Sequence, residues 1–246
     1  MNTTQNHEQL QQLRLHGMAT SYQAITQLPV NKQPDGHELL ATLLQAEIQH
    51  RQHQRTRLLL QLGKLRYQAG IEQIICSPQR NLTKQELAQL SDCSYIIRAE
   101  NILITGATGS GKSYLACALG NQSCLMGYRT MYLNMNRFCE KLAVSKLDGT
   151  YLKLLNQLEK IRLLILDDFG LQPLEQPVKL ALLQILEDRY QKNSIVIASQ
   201  LPVNKWHVYL NEPTLADAIM DRLTAHAHKL ELKGESLRRK TIQKTN

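Results

Sequence analysis

Leucine, methionine, tyrosine and isoleucine recur among glutamines and other polar residues at helical spacing from residue 7 to 28. A longer helical stretch follows over 37–66, with Leu39, Leu40, Leu43, Leu44, Ile48, Leu58 and Leu59 as expected buried positions. Gly70 and Pro78 mark an irregular connection, and Thr83-Lys-Gln-Glu86 has the form of a capping box that opens a short helix. Residues 1–92 therefore read as a helical N-terminal domain with no convincing strand. Near residue 95 the rhythm changes. Short apolar runs at 101–105, 130–134, 162–167, 194–198 and about 228–232 alternate with helical segments over the remaining domain, 93–246. Continuous apolar strands separated by helices predict an α/β fold, with a parallel sheet covered on both faces. Two helices, at about 136–146 and 150–160, stand between the second and third strands, where a crossover needs only one.

The first strand runs into Gly106-Ala107-Thr108-Gly109-Ser110-Gly111-Lys112-Ser113, the pattern of a P-loop. Its glycines let the backbone turn tightly and aim N–H groups at an anion, and a helix begins directly after it. Lys112 is placed to reach β- and γ-phosphates, and Ser113 to offer a hydroxyl to Mg²⁺. The cofactors expected are ATP and Mg²⁺. The third strand ends in Asp167-Asp168 after four apolar residues, a Walker B pattern. Asp167 is the expected metal ligand, and Asp168 the expected base for the attacking water. The fourth strand ends in Ser199-Gln200, with Ser199 the first choice and Gln200 the second for a contact to the γ-phosphate or its water. Arg222, near the end of a later helix, could serve a neighbouring subunit's γ-phosphate. Arg238, in a closing basic cluster, could touch nucleotide phosphate.

Charge widens the picture. There are 29 Lys and Arg against 21 Asp and Glu, a formal net charge of +8 and a pI near 9.3. Such an excess beside a nucleotide site suggests a second polyanion, most simply nucleic acid. A basic run, Arg51, Arg55, Arg57, Lys64 and Arg66, has no acid between Glu47 and Glu72. Five cysteines with no C-x-x-C fit free thiols in a reducing compartment, and a cytoplasmic location is expected. The first 30 residues contain no apolar core segment, so no signal peptide is expected, and no run approaches the roughly 18 apolar residues of a membrane span.

Taken together in this order, several elements resemble the IstB-like ATPases. They are the P-loop, Asp167-Asp168-Phe169-Gly170, Ser199-Gln200-Leu201-Pro202 with Lys205-Trp206, Glu212 to Leu223, and Glu231-Leu-Lys-Gly-Glu-Ser-Leu-Arg238. Leu13-Arg-Leu-His-Gly-Met18 resembles the start of the same family. These are transposition helpers of insertion sequences, related to DnaC-type helicase loaders in the AAA+ superfamily. The resemblance implies a P-loop core with a five-stranded sheet in the order 5-1-4-3-2; only 14 residues follow Leu232, so no full helical lid is expected. It implies Arg222 as arginine finger and Arg238 as sensor arginine. It also implies an ATP-dependent homo-oligomer on double-stranded DNA, whose N-terminal domain engages a transposase. Relatives often carry Glu where Asp168 stands. Asp is one methylene shorter, so hydrolysis is expected to be slow and stimulated by DNA or partner. Initiator-type relatives place an inserted helix between strands two and three to track nucleic acid. Here that region offers Arg129, Arg137, Lys141, Lys146 and Lys153 as expected phosphate contacts. A helicase loader, a small-molecule kinase and a nucleotide-gated DNA scaffold are the alternative functions.

Overall fold

In the computed structural model, which describes residues 3–237, the five apolar runs are five parallel strands. They are β1 (Asn101–Gly106), β2 (Thr130–Asn134), β3 (Leu163–Phe169), β4 (Ser194–Ser199) and β5 (Ala227–Leu232). The order β2-β3-β4-β1-β5 is the expected order counted from the other edge. Alternation within each strand sorts the core into two faces. Leu103, Leu164, Leu166, Ile195 and Ile197 point to one side. There they meet α7 (Met135–Leu147), α8 (Tyr151–Glu159), α9 (Gln176–Arg189), α10 (Trp206–Leu210) and α11 (Pro213–Thr224). Ile102, Ile104, Leu163, Ile165, Val196 and Ala198 point the other way. They meet α4 (Lys84–Ser91), α5 (Ser94–Ile97) and α6 (Lys112–Leu125). Each fully buried Leu or Ile contributes about 1.5–3 kcal/mol, and both faces need such residues because both are covered. The capping box forms as expected. Thr83 Oγ1 accepts the Glu86 N–H at 3.1 Å, and Glu86 Oε2 accepts the Thr83 N–H at 2.8 Å.

The chain divides into two compact units, Met1–Leu58 and Leu59–Asn246, so the division falls ahead of the expected boundary at 92. Packing explains the position. Ala69, Leu82, Leu87 and Leu90 share one apolar cluster with β1 and α6, so 59–92 completes the second unit's core. The first unit contains α1 (Thr3–Gln12), α2 (His16–Thr26) and most of α3 (Gly36–Gly63). Glu47 of α3 accepts the Gly17 and Met18 N–H groups at 2.8 and 3.2 Å, capping the start of α2, and pairs with Arg51 at 2.8 Å. Leu43 is buried, whereas Leu40, Leu44, Ile48 and Leu58 are exposed, contrary to expectation. The contacts to α3 come from the start of α2, where a Cβ added at Gly17 would lie 2.5 Å from the Ala46 carbonyl.

At the lower end of the sheet, Arg189 is fully buried. It donates to the carbonyls of Leu158 and Ile161 at 2.6 and 2.7 Å and of Ser194 at 2.6 Å. Burial, with Arg162 nearby, lowers its pKa to about 9, so it stays charged at neutral pH. It ties the ends of α8 and α9 to the start of β4. Arg189→Met is expected to remove a buried donor from all three carbonyls, of which that of Leu158 keeps the Ile161 N–H, and to cost about 2–4 kcal/mol in urea denaturation. All five cysteines are free thiols.

Candidate functional site

The loop after β1 is shaped by residues whose φ is positive: Gly106, Gly109 and Gly111. At Gly109 a side chain is excluded twice, by a φ of +82° and by Ser236, whose Oγ would lie 2.1 Å from an added Cβ. The Leu237 N–H donates to the Gly109 carbonyl at 3.0 Å, and the Arg80 guanidinium donates to the Ser110 carbonyl. The loop is thus clasped from both chain directions. Lys112 opens α6, is buried, and curls back so that Nζ donates to the Ala107 carbonyl at 2.9 Å. Ala107 and Thr108 stand exposed at the tip, and Thr108 Oγ1 donates to Gln200 Oε1 at 2.7 Å. A cavity of about 730 Å³ opens here, lined among others by Gly109, Gly111, Lys112, Ser113, Asp168 and Gln200. That volume suits a nucleotide-sized ligand.

The two acids at the end of β3 differ in surroundings. Asp167 is buried and accepts three hydrogen bonds. The Ser113 hydroxyl and the Asp168 N–H reach Oδ1 at 3.0 and 2.9 Å, and the Tyr132 hydroxyl reaches Oδ2 at 2.6 Å. Burial and the adjacent Asp167 push Tyr132 far above the usual phenol range, so it remains a donor. Asp168 lines the cavity and accepts from Asn134 Nδ2 at 2.6 Å. Its φ of +60° coincides with a register shift between β3 and β4 after Leu166. A left-handed aspartate at a bulge re-aims its carboxylate out of the strand's regular alternation. Tyr132 and Asn134 both come from β2, which pairs with β3 in the register Asn134↔Asp167. The Ser113 hydroxyl and Asp167 carboxylate, 3.0 Å apart beside the loop's N–H groups, are the oxygen donors that a small hard cation takes.

The remaining expected residues fall in separate places. Ser199 is fully buried, and its hydroxyl is used by the backbone, donating to the Phe169 carbonyl at 2.6 Å and accepting the Leu201 N–H at 3.0 Å. Gln200 lines the cavity instead, which reverses the expected order of the two. Arg222 lies at the far end of the sheet. Asn101, the first residue of β1, donates to the Arg222 carbonyl at 3.1 Å, whereas the P-loop follows the last. Five strand steps of about 3.3 Å put roughly 17 Å between those ends. The Arg222 guanidinium lies 4.9 Å from the Tyr190 ring centre and pairs with Glu187 at 3.0 Å and with Asp221. Asp217 pairs with His207. Arg137, Lys141, Lys146 and Lys153 are exposed on α7 and α8. Lys141 converges with Arg129 and Lys64 on a 180 Å³ cleft beside β2. Arg238 lies outside the described residues. Three residues that sequence reasoning did not single out for the site, Tyr132, Asn134 and Arg80, touch it through strand pairing or from the segment before the core.

Comparison with known proteins agrees with this architecture. The family of IstB-like ATP binding proteins matches residues 8–245. A putative insertion sequence ATP-binding protein of Sinorhizobium fredii is 39% identical over 238 residues, covering 97% of each chain. A second from that species is 42% identical over 233 residues, covering 94% of this chain and 93% of its own. Among solved structures, the replication initiator DnaA bound to AMPPCP and single-stranded DNA superposes with a TM-score of 0.60 at 21% identity. That match covers 74% of this chain and 55% of the other. The DnaC helicase loader superposes at 0.56 with 17% identity, covering 68% and 98%. These likenesses show the AAA+ fold. No described helix is long and apolar enough to cross a membrane. Given the P-loop, the paired acids and these matches along its length, the chain belongs to the family of IstB-like ATP binding proteins.

Proposed function

We propose that this protein is a cytoplasmic ATPase that assembles with copies of itself on double-stranded DNA and there recruits or stimulates a transposase. One observation carries the reading. Lys112, Ser113, Asp168 and Gln200 line a single cavity, while Arg222 stands at the opposite end of β1. An arginine so placed serves another subunit's nucleotide, not its own, so ATP would sit where two subunits meet. Family membership supports ATP as the ligand, and the relatives' names associate them with insertion sequences.

Within the site, Lys112 and the loop N–H groups bind the phosphates, as their geometry at the start of α6 suits. Mg²⁺ held by Ser113 and Asp167 would supply neutralisation of the phosphate charge. Tyr132 keeps Asp167 fixed through a buried hydrogen bond. Asp168, held by Asn134, takes the proton of the attacking water, and Gln200 orients that water or the terminal phosphate. Arg238 acts on the nucleotide as a sensor.

For DNA, the exposed cations of α7 and α8 and the cleft of Lys64, Arg129 and Lys141 form the contact surface. Phosphate contacts give affinity without sequence information and weaken with salt. The rival basic run is divided: Arg51 is paired with Glu47 in the first unit, and Arg66 lies at the acid pair in the second. The helical first unit, Met1–Leu58, would supply the transposase contacts. Replacing Arg137 and Lys141 together with Glu is expected to weaken duplex binding. It should also flatten the slope of log affinity against log salt by about 2, with nucleotide affinity unchanged. An unaltered salt titration would remove these residues from the DNA surface. A helicase loader would use the same engine, so capture of a hexameric helicase in place of a transposase would redirect the partner assignment.

A further inference from the structure

Arg66 belongs neither to the P-loop nor to the strand that holds the acids, yet it pairs with the acids and lines the cavity beside the P-loop. The chain leaves α3 through Lys64 (φ +49°) and lays residues 65–69 along α6. Leu65 packs over Gly120 so closely that an added Cβ there would stand 2.8 Å from its side chain. Asn121 Nδ2 donates to the Ala69 carbonyl at 2.9 Å, and the Tyr67 and Tyr114 rings lie 5.9 Å apart. All three partners are on α6, the helix that begins with Lys112 and Ser113. Arg66 is therefore positioned by the same helix that positions the phosphate-binding lysine.

Its guanidinium Nη1 lies 3.6 Å from Asp168 Oδ2 and 3.9 Å from Asp167 Oδ2, and it lines the same cavity as Lys112, Ser113 and Gln200. The spacings to the acids are ion pairs; the guanidinium also engages the Tyr132 hydroxyl and lies 5.4 Å from the Tyr67 ring centre. Its fork carries more N–H donors than these contacts use, which leaves donors for an acceptor in the cavity. The side chain is 43% exposed, which keeps its head accessible there. A divalent cation on Ser113 and Asp167 would offset the charge of the acid pair and repel the guanidinium from it. The strongest remaining anion within reach of a group beside Asp168 would be the terminal phosphate. Arginine's planar fork matches phosphate oxygens in pairs, which a lysine cannot reproduce.

We propose that Arg66 binds the terminal phosphate of the bound triphosphate from within the same chain, so that the segment leading into the core distinguishes ATP from ADP. The inference rests on the ATPase reading above and adds to it a phosphate contact from before β1. It is tested with the full chain by equilibrium binding of ATPγS and of ADP in Mg²⁺, comparing wild type with Arg66→Gln and Arg66→Lys. Loss of a charge-assisted contact predicts ATPγS binding weakened by about tenfold or more in Arg66→Gln. ADP affinity should stay within about twofold, and Arg66→Lys should fall between. An equal loss for both nucleotides would make Arg66 a structural residue and overturn the proposal, as would no loss for either. A wild-type chain that bound neither nucleotide would overturn the ATPase reading, and this inference with it. Melting temperatures of the three proteins, measured without nucleotide, separate these outcomes from misfolding.

Discussion

Replacing Lys112 with alanine is expected to abolish ATP turnover and to weaken nucleotide binding by about 10–100-fold, the loss of one or two charge-assisted hydrogen bonds. The side chain is buried at the head of α6, and its ammonium lies against the Ala107 carbonyl. Bound phosphate oxygens would draw it from that carbonyl, a neutral partner, to charged ones. Turnover should fall further than binding, because the ammonium also meets charge that develops on the transferring phosphoryl group. The fold should survive. Lys112 tethers the loop it belongs to, and the sheet beneath is held by Ile102, Ile104, Val196 and Ala198. Fluorescent-nucleotide titration, phosphate release and a melting curve on one preparation check all three statements. Binding and turnover at wild-type levels would mean that the cavity is not the nucleotide site.

The second large effect is expected at Arg222. Arg222→Ala should leave nucleotide affinity of the isolated chain within about twofold of wild type. It should lower turnover of the assembled protein by about 10³-fold or more, the scale on which an arginine supplied in trans acts. The reason is distance. Arg222 is joined through its carbonyl to Asn101 at the start of β1, while the phosphate loop begins at the end of that strand. Tyr190 and Glu187 hold the guanidinium in place on its own subunit. Presented at a surface, it can complete a site that another chain begins. Protein-concentration dependence of turnover should accompany the effect in wild type and be lost in the variant.

Much of this arrangement is legible in the sequence, for local reasons. The P-loop is eight contiguous residues between a strand and a helix, and Asp167-Asp168 ends a run of apolar residues. Neither needs information from elsewhere in the chain. The surplus helix between β2 and β3 was visible in the same way, as two amphipathic segments where one suffices. What stayed hidden depends on pairing across the chain. Tyr132 and Asn134 serve the acids only because β2 pairs with β3 in the register Asn134↔Asp167. Ser199 and Gln200 are not ordered by sequence, since the Ser199 hydroxyl is taken by the Phe169 carbonyl and the Leu201 N–H, contacts that depend on β3 lying beside β4. The boundary at 92 followed a change of rhythm, yet Leu82, Leu87 and Leu90 are helix-domain residues by pattern and sheet-core residues by packing. Arg66 read as part of a basic surface because its neighbours in sequence are basic. Its neighbours in space include two carboxylates.

If the catalytic site is shared between subunits, two inactive variants should restore activity when mixed. Asp168→Asn keeps Arg222 but would lose the proposed base for the water, while Arg222→Ala keeps the loop and both acids. Each alone should be inactive in phosphate release with duplex DNA present. Mixed in equal amounts, they should recover a substantial fraction of wild-type turnover, because some interfaces would pair an intact Asp168 with a neighbour's Arg222. A mixture as inactive as its components, under conditions where both proteins bind nucleotide and DNA and assemble together, would contradict the shared site.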